Sequence, residues 1–474
     1  MSPASPTGRL AAALLVAGLG LVACDGGRPD PDRPGGSDPS TGGSGSAAAV
    51  LHEPASTWEL RADTVVPGGK FVPLAPAGDD EVPQPGGVVV GEVLVAAITD
   101  QAQDDADPGA RPVTPLLVGV SAEGKVLWKQ EGYGGCWTPD HAALYCTRGD
   151  ALVRVDAATG GSGAGADVRV APGSTPILDD GVLYLVVTPE GTDESAYPPP
   201  FAVAALDATS LKDVWTGPGG LAELRGYGAG SPALDLSGDD VSVAAWKDTP
   251  SGQADATQFE LDRASGKVLG SAHLGKSSFF ERPWTVHRGF GDDKLEVLLG
   301  DEVLLKLSGQ AWDTQDSRLT TTEGRLGVGS TLYDVTTGKA VWERPDLGDE
   351  LSGWRWTSDR TQVAVTGFDA KKGTMVTTYL DAETGKTLWS GPGTEIAPSE
   401  TPDAFLQVAT DYAKSWVVQA LDRTSGEVAW SHDVSALGKE GYDDGISPGG
   451  PYVSDEAVWV VGAGTLAGFT GFPG

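Results

Sequence analysis

Short apolar runs recur along the chain, such as Val203-Ala204-Ala205-Leu206 and Val417-Val418-Gln419-Ala420-Leu421, with polar, glycine-bearing turns between them. Runs of this length bounded by turn residues predict β-strands. Several of them end in the same spacing, Asp-x3-Gly-x3-Trp. It reads Asp334, Gly338, Trp342, then Asp381, Gly385, Trp389, then Asp422, Gly426, Trp430. An aspartate at that position can accept hydrogen bonds from backbone N–H groups just downstream and close a turn. The glycine supplies a positive φ without steric cost. The tryptophan then falls on the apolar face of a second strand, so each copy predicts a β-hairpin.

Degenerate copies extend the series. Asp156 and Gly160 keep the turn but Ala164 replaces the tryptophan, and Asp262 and Gly266 are followed by Gly270. Asp207 and Trp215 fit, with Leu211 in place of the glycine. Gly124 and Trp128 fit, with Val120 in place of the aspartate. Seven copies result, centred on 124, 160, 211, 266, 338, 385 and 426. Upstream of them a second hairpin recurs, beginning near Gly87, Cys136, Thr175, Pro232, Trp284, Arg355, Pro402 and Pro451. After the last hairpin, Thr465-Leu466-Ala467-Gly468-Phe469 makes a third strand, and Ser56-Thr57-Trp58-Glu59-Leu60 reads as a tryptophan-bearing outer strand with no hairpin before it. Pairing the two closes a ring and removes a sheet edge.

The expected fold is therefore all-β, an eight-bladed β-propeller of four-stranded antiparallel blades with the N-terminal strand completing the last blade. The interval from 266 to 338 is the longest and contains Val303 to Leu307; an insertion there, or a further degenerate unit, would make the count seven or nine.

The segment Leu380-Asp381-Ala382-Glu383-Thr384-Gly385-Lys386-Thr387-Leu388-Trp389 resembles the tryptophan-docking repeat of the pyrroloquinoline-quinone-like β-propeller family. The resemblance covers residues 57–474. It implies the fold and leaves the activity open, because that fold carries both quinoprotein dehydrogenases and non-catalytic binding proteins.

The ends indicate location. Arg9 precedes an apolar run from Leu10 to Ala23 that is too short to span a bilayer and suits a signal peptide, residues 1–23. Leu21-Val22-Ala23-Cys24 resembles a bacterial lipobox, which implies lipidation of Cys24 and attachment to the outer face of the cytoplasmic membrane. Residues 24–56 are rich in Gly, Pro and Ser and read as a tether, leaving 57–474 for the propeller.

Composition narrows the partners. With 33 Lys and Arg against 66 Asp and Glu, the net charge is −33, which repels phosphate backbones and argues against nucleic acid. Beyond Cys24 the chain has only Cys136 and Cys146, on the two strands of one hairpin. Facing positions there permit a disulfide, which export favours. Two free thiols, or a metal site completed by His141, are the alternatives.

No metalloprotease, nucleophile-elbow or phosphate-loop motif is present, and Gly226-Tyr227-Gly228-Ala229-Gly230 reads as a loop between strands. The acidic groups Asp100, Asp104, Asp105, Asp107, then Asp292-Asp293 and Asp443-Asp444, lack the ligand pattern of a calcium loop and read as solvated. The resemblance implies that a dehydrogenase of this fold would carry two adjacent cysteines over its quinone; here they are ten apart. The expectation is a monomeric, membrane-anchored binding scaffold with a protein partner, no cofactor, no metal and no catalytic residue. A quinoprotein dehydrogenase and a carbohydrate or small-ligand sensor using the central channel are the alternatives. The long loops 99–113, 189–200 and 308–326 are the expected binding surfaces.

Overall fold

The computed structural model describes residues 50–74, 86–100, 115–171, 174–189, 201–215, 233–237, 240–248, 254–275, 278–281, 284–288, 294–299, 302–308, 324–347, 351–357, 359–369, 374–392, 399–410, 416–438 and 448–472. Almost everything in them is antiparallel strand, arranged as a β-propeller. The signal peptide, Cys24 and most of the tether lie outside the described residues, as do the acidic groups other than Asp100, the Gly226–Gly230 run and nearly all of the three long loops.

The described strands form nine sheets, numbered here along the chain: sheet 1 (70–130), sheet 2 (136–166), sheet 3 (169–207), sheet 4 (233–275), sheet 5 (278–308), sheet 6 (325–343), sheet 7 (351–392), sheet 8 (399–433) and sheet 9 (449–470 with 56–61). That is one more than eight. The difference lies in the long interval: the hairpin at Trp284 belongs to sheet 5, whereas the Asp334–Gly338 turn belongs to sheet 6. Sheet 5 has four strands of its own, and its outer turn, between Leu299 and Glu302, carries no motif. Sheet 6 shows three strands among the described residues, Arg325–Val328, Thr331–Asp334 and Lys339–Glu343.

Burial follows strand position. The middle strand Ala457–Val461 is buried at every residue because sheets cover both its faces. The outer strand Lys339–Glu343 buries only Trp342, and Val428–Asp433 only Trp430. The core is thus a series of apolar layers between successive sheets. Leu94, Ala96 and Ile98 of sheet 1 meet Trp459 and Val461 of sheet 9, and Tyr145 and Leu152 of sheet 2 meet Leu183 and Leu185 of sheet 3. Ala364 and Tyr379 of sheet 7 meet Phe405 and Leu421 of sheet 8.

Closure is as expected. Ser56–Arg61 pairs antiparallel with Thr465–Thr470, Ser56 opposite Thr470 and Arg61 opposite Thr465. The packed region begins earlier than residue 57, however. Val50 is buried in the layer between sheets 8 and 9, and its carbonyl accepts from Trp430 Nε1 at 2.7 Å.

Candidate functional site

The repeated turn works as its spacing requires. Asp156 Oδ1 accepts from Thr159 N at 2.8 Å and from its hydroxyl at 2.9 Å, while Gly160 N donates to Asp156 O at 2.7 Å. Asp207 with Ser210, Asp262 with Ser265, Asp381 with Thr384 and Asp422 with Ser425 repeat this; at Asp334 the hydroxyl partner is Thr336. Hydroxyl hydrogen bonds from Thr159, Ser210, Thr336 and Thr384 hold Asp156, Asp207, Asp334 and Asp381 below the usual carboxylate range. For Asp422 the Ser425 backbone N–H is the larger cause. In sheet 1 the aspartate's place is taken by Ser121, one residue later than Val120. The Ser121 hydroxyl accepts from Glu123 N and Lys125 N, and Val120 points into the core.

Five of the tryptophans belong to the next sheet's turn. Trp128 Nε1 donates to Ala157 O at 2.6 Å, Trp215 to Arg263 O at 2.9 Å, Trp342 to Ala382 O at 3.1 Å and Trp389 to Arg423 O at 3.1 Å. Trp58 reaches Ala122 O at 2.7 Å. In these five the acceptor is the residue after the turn-opening Asp or Ser, and the indole lies flat on that turn's glycine; Trp430 donates to Val50 O instead. A methyl group on Gly160 would sit 2.6 Å from the Trp128 ring, on Gly266 2.5 Å from Trp215, on Gly385 2.6 Å from Trp342 and on Gly426 2.3 Å from Trp389. The repeat is therefore half of a joint, and its other half lies one sheet away. Trp354 makes a further contact that the motif did not reveal: its Nε1 donates to Gly329 O at 3.0 Å, back toward sheet 6.

The same turns bear the polar chemistry of one face. In sheets 4 and 8 the residue after the aspartate is arginine. Arg423 pairs with Asp359 on the inner hairpin of sheet 7, donates to Thr401 O at 3.3 Å, comes within 3.8 Å of Glu400 and lies over the Phe405 ring at 5.4 Å. Burial pushes the Asp359 carboxyl up, but hydrogen bonds from Thr357 and Thr361 and the Arg423 charge outweigh it and hold the group low. Arg263 likewise pairs with Asp179 and donates to the Tyr184 hydroxyl at 3.2 Å.

In sheet 7 that position is Ala382, and the corresponding space is a cleft of about 290 Å³ lined by Arg325, Trp356, Arg360, Thr361, Asp381, Ala382 and Glu383. Its frame is fixed from several sides. Ala382 N donates to Thr361 O at 3.0 Å, and Ala382 O accepts from both Trp342 Nε1 and Arg325 Nη1, the latter at 3.0 Å. The register explains Arg325: it stands opposite Asp334 as Gln362 stands opposite Asp381, and Gln362 Nε2 likewise reaches toward the docking carbonyl of Arg423. The residue after the aspartate does not single this cleft out in the sequence, since it is Ala157, Ala208, Val335 and Ala382 in four copies and arginine only at Arg263 and Arg423.

Cys136 and Cys146 face one another and form a disulfide, with both sulfurs buried between sheets 1 and 2. The thiols being spent on each other, the metal alternative with His141 falls. Among the described residues no three metal-ligating side chains group together. The quinone of the dehydrogenases does not fit these residues, because the bridge spans a hairpin inside the core and cannot form a lid of two neighbouring cysteines. No described helix is long and apolar enough to cross a membrane.

The family described as outer membrane protein assembly factor BamB, built on pyrroloquinoline-quinone-type repeats, matches residues 116–283 and 329–470. The chain belongs to this family. Among solved structures it is similar to the quinohemoprotein alcohol dehydrogenase ADHIIG of Pseudomonas putida HK5, with 12% identity, TM-score 0.42, and 86% of this chain and 76% of that one covered. It is also similar to the quinohemoprotein alcohol dehydrogenase of Comamonas testosteroni, with 12% identity, TM-score 0.43, and coverage of 90% and 78%. The WD40 domain of SCAP from fission yeast is similar at 12% identity and TM-score 0.36, with coverage of 81% and 96%. No curated protein matches the sequence.

Proposed function

We propose that this BamB-family chain is a lipid-anchored, extracytoplasmic propeller that holds a protein partner in the cell envelope and catalyses no reaction. The family match over 116–283 and 329–470 carries the reading, since the family's description is that of an assembly factor. The leader, the Leu21-Val22-Ala23-Cys24 sequence and the Gly/Pro/Ser tether support attachment through Cys24. The buried cross-hairpin bridge supports a binding role over quinone chemistry, because it consumes the two cysteines that remain. The indole joints make the face of turns a rigid platform, which suits docking of a partner at little conformational cost.

Two measurements test the proposal. Feeding cells an alkyne-bearing fatty acid should label the natural chain and leave Cys24→Ser unlabelled and released from membranes; label retained by the variant would overturn the anchor. Affinity capture of the tagged, lipidated protein from its own membranes should yield a stoichiometric envelope protein. Recovery of the chain alone, or alcohol oxidation after reconstitution with the quinone and calcium, would overturn the scaffold.

A further inference from the structure

The outer corner of sheets 8 and 9 is closed differently from the rest of the ring. In five joints an indole of one sheet meets a covalent turn of the next. Sheet 9 has no such turn, because its third strand, Thr465–Thr470, and its outer strand, Ser56–Arg61, come from distant parts of the chain. Trp430 therefore has no turn to dock on, and the segment leading into the outer strand takes that place. Val50 O accepts from Trp430 Nε1 at 2.7 Å, Val50 is 2% exposed, and Leu51 packs on the same apolar layer. Phe472, just past the third strand, lies 6.1 Å from the indole between ring centres. This segment is held far more lightly than the strand it precedes. Val50 and Pro54 are its buried residues, while His52, Glu53 and Ala55 are exposed. Among the described residues one backbone hydrogen bond ties 50–55 to the ring, a long one of 3.4 Å from Ala55 N to Gly471 O. Ser56–Arg61, by contrast, pairs with Thr465–Thr470 at every residue, and Trp58 Nε1 fastens it to Ala122 O at 2.7 Å.

We propose that residues 50–55 are a releasable strap, which undocks from Trp430 as a unit while the closing strand stays paired. Docked, the strap completes the last indole joint and shuts the corner. Released, it uncovers the Trp430 indole and returns its six residues to the tether. A segment with few buried contacts and little backbone pairing opens locally at a small fraction of the cost of opening the whole fold. Six extended residues span at most about 20 Å. A pull on the chain upstream of Val50 therefore lengthens the leash by up to that much before it loads the closing strand. This last consequence rests on the lipid-anchored reading, which the Cys24→Ser comparison tests separately; the strap itself does not.

The test is maleimide labelling of the full chain carrying Val50→Cys. Labelling is read at the peptide that contains residue 50, so the state of Cys24 does not enter, and the bridged Cys136 and Cys146 stay silent. Two further variants set the limits: Ala62→Cys, buried directly after the closing strand, and Glu53→Cys, exposed within the strap. Val50→Cys should react at least about tenfold faster than Ala62→Cys and at least about tenfold more slowly than Glu53→Cys. Trp430→Phe keeps an aromatic ring and removes the hydrogen bond; it should speed labelling of Val50→Cys about fivefold and leave Ala62→Cys unchanged. Thermal unfolding of each variant checks that it is folded, and Val461→Cys, equally buried, replaces Ala62→Cys if that variant is not. Equal rates at 50 and 62 overturn the proposal, because the segment then opens only with the ring. Equal rates at 50 and 53 overturn it from the other side, because the segment is then never docked. Trp430→Phe speeding positions 50 and 62 alike overturns it as well.

Discussion

The seam between sheets 7 and 8 and the seam between sheets 2 and 3 solve one problem in opposite ways. At the first, Trp389 of one sheet lies on Gly426 of the next, backed on its other face by Tyr379 at 3.9 Å between ring centres. At the second, Ala164 stands where the tryptophan would be, and the next turn carries Leu211 where the glycine would be. Leu211 takes the same left-handed backbone, φ 52°, and fills the layer that an indole occupies elsewhere. The bulk has moved across the seam. Tryptophan and glycine are thus one joint shared by two sheets, and losing one half permits losing the other. Sheet 4 agrees: Gly270 replaces its tryptophan, and the outer turn of sheet 5 bears no motif to receive one.

The comparison can be broken most severely at the crowded side. Gly426→Leu puts a side chain into the Trp389 ring at a positive φ, and denaturant unfolding should show a loss on the order of 4 kcal/mol. Trp389→Ala, which empties the joint, should cost about 3–5 kcal/mol by the same measurement. The bridge beside Trp128 is a different fastening: Cys136→Ser with Cys146→Ser should lose at most about 3 kcal/mol, because the loop it closes is short. The exchange of bulk is sharpened by a double-mutant cycle. Ala164→Trp and Leu211→Gly should each destabilise by about 1–3 kcal/mol, and the pair together should cost less than the sum by at least about 1 kcal/mol. Strict additivity would show that the two positions are not a joint.

The smallest effect expected is that of pH. Asp334, Asp381 and Asp422 have pKa values lowered in the folded state by turn hydrogen bonds. Their contribution is present above the unfolded carboxylate pKa, about 3.9, and is lost as pH falls through the lower folded values. These groups are largely solvated, so denaturation midpoints should be flat from neutral pH to about pH 5 and fall only below about pH 4. Asp381→Ala should flatten part of that acid limb.

The strands, the turns and the closing strand at Ser56–Arg61 were legible because each is local: a run of apolar residues, a capping aspartate, a glycine. That the tryptophans dock was legible from the resemblance to a tryptophan-docking repeat; which carbonyl receives each was not, because Trp342 and Ala382 belong to successive copies and no single copy contains both halves. Ser121 was missed because a three-residue step from its carbonyl to Gly124 N shortens that turn by one, so a rigid spacing selects Val120. A further unit in the interval from 266 to 338 was legible only as an alternative, because Gly300 and Asp301 of the outer turn of sheet 5 do not stand at the motif's spacing, and the counted hairpin and the counted motif came from different sheets. The cleft was not legible, because Ala382 shares its residue type with Ala157 and Ala208 and the lining comes from two sheets, Arg325 from one and Trp356 from the next.

Closure by the strand at Ser56–Arg61 also sets an order of events. Its partner, Thr465–Thr470, is made long after it. A chain made from its N-terminus presents the waiting edge to its surroundings until residue 470 has followed. Loop-closure entropy rises only by about 0.6 kcal/mol per doubling of loop length, so thermodynamics tolerates this wait. Kinetics is less forgiving, since an unpaired edge invites other strands. Refolding yield should therefore depend on protein concentration far more than the stability of the closed ring does.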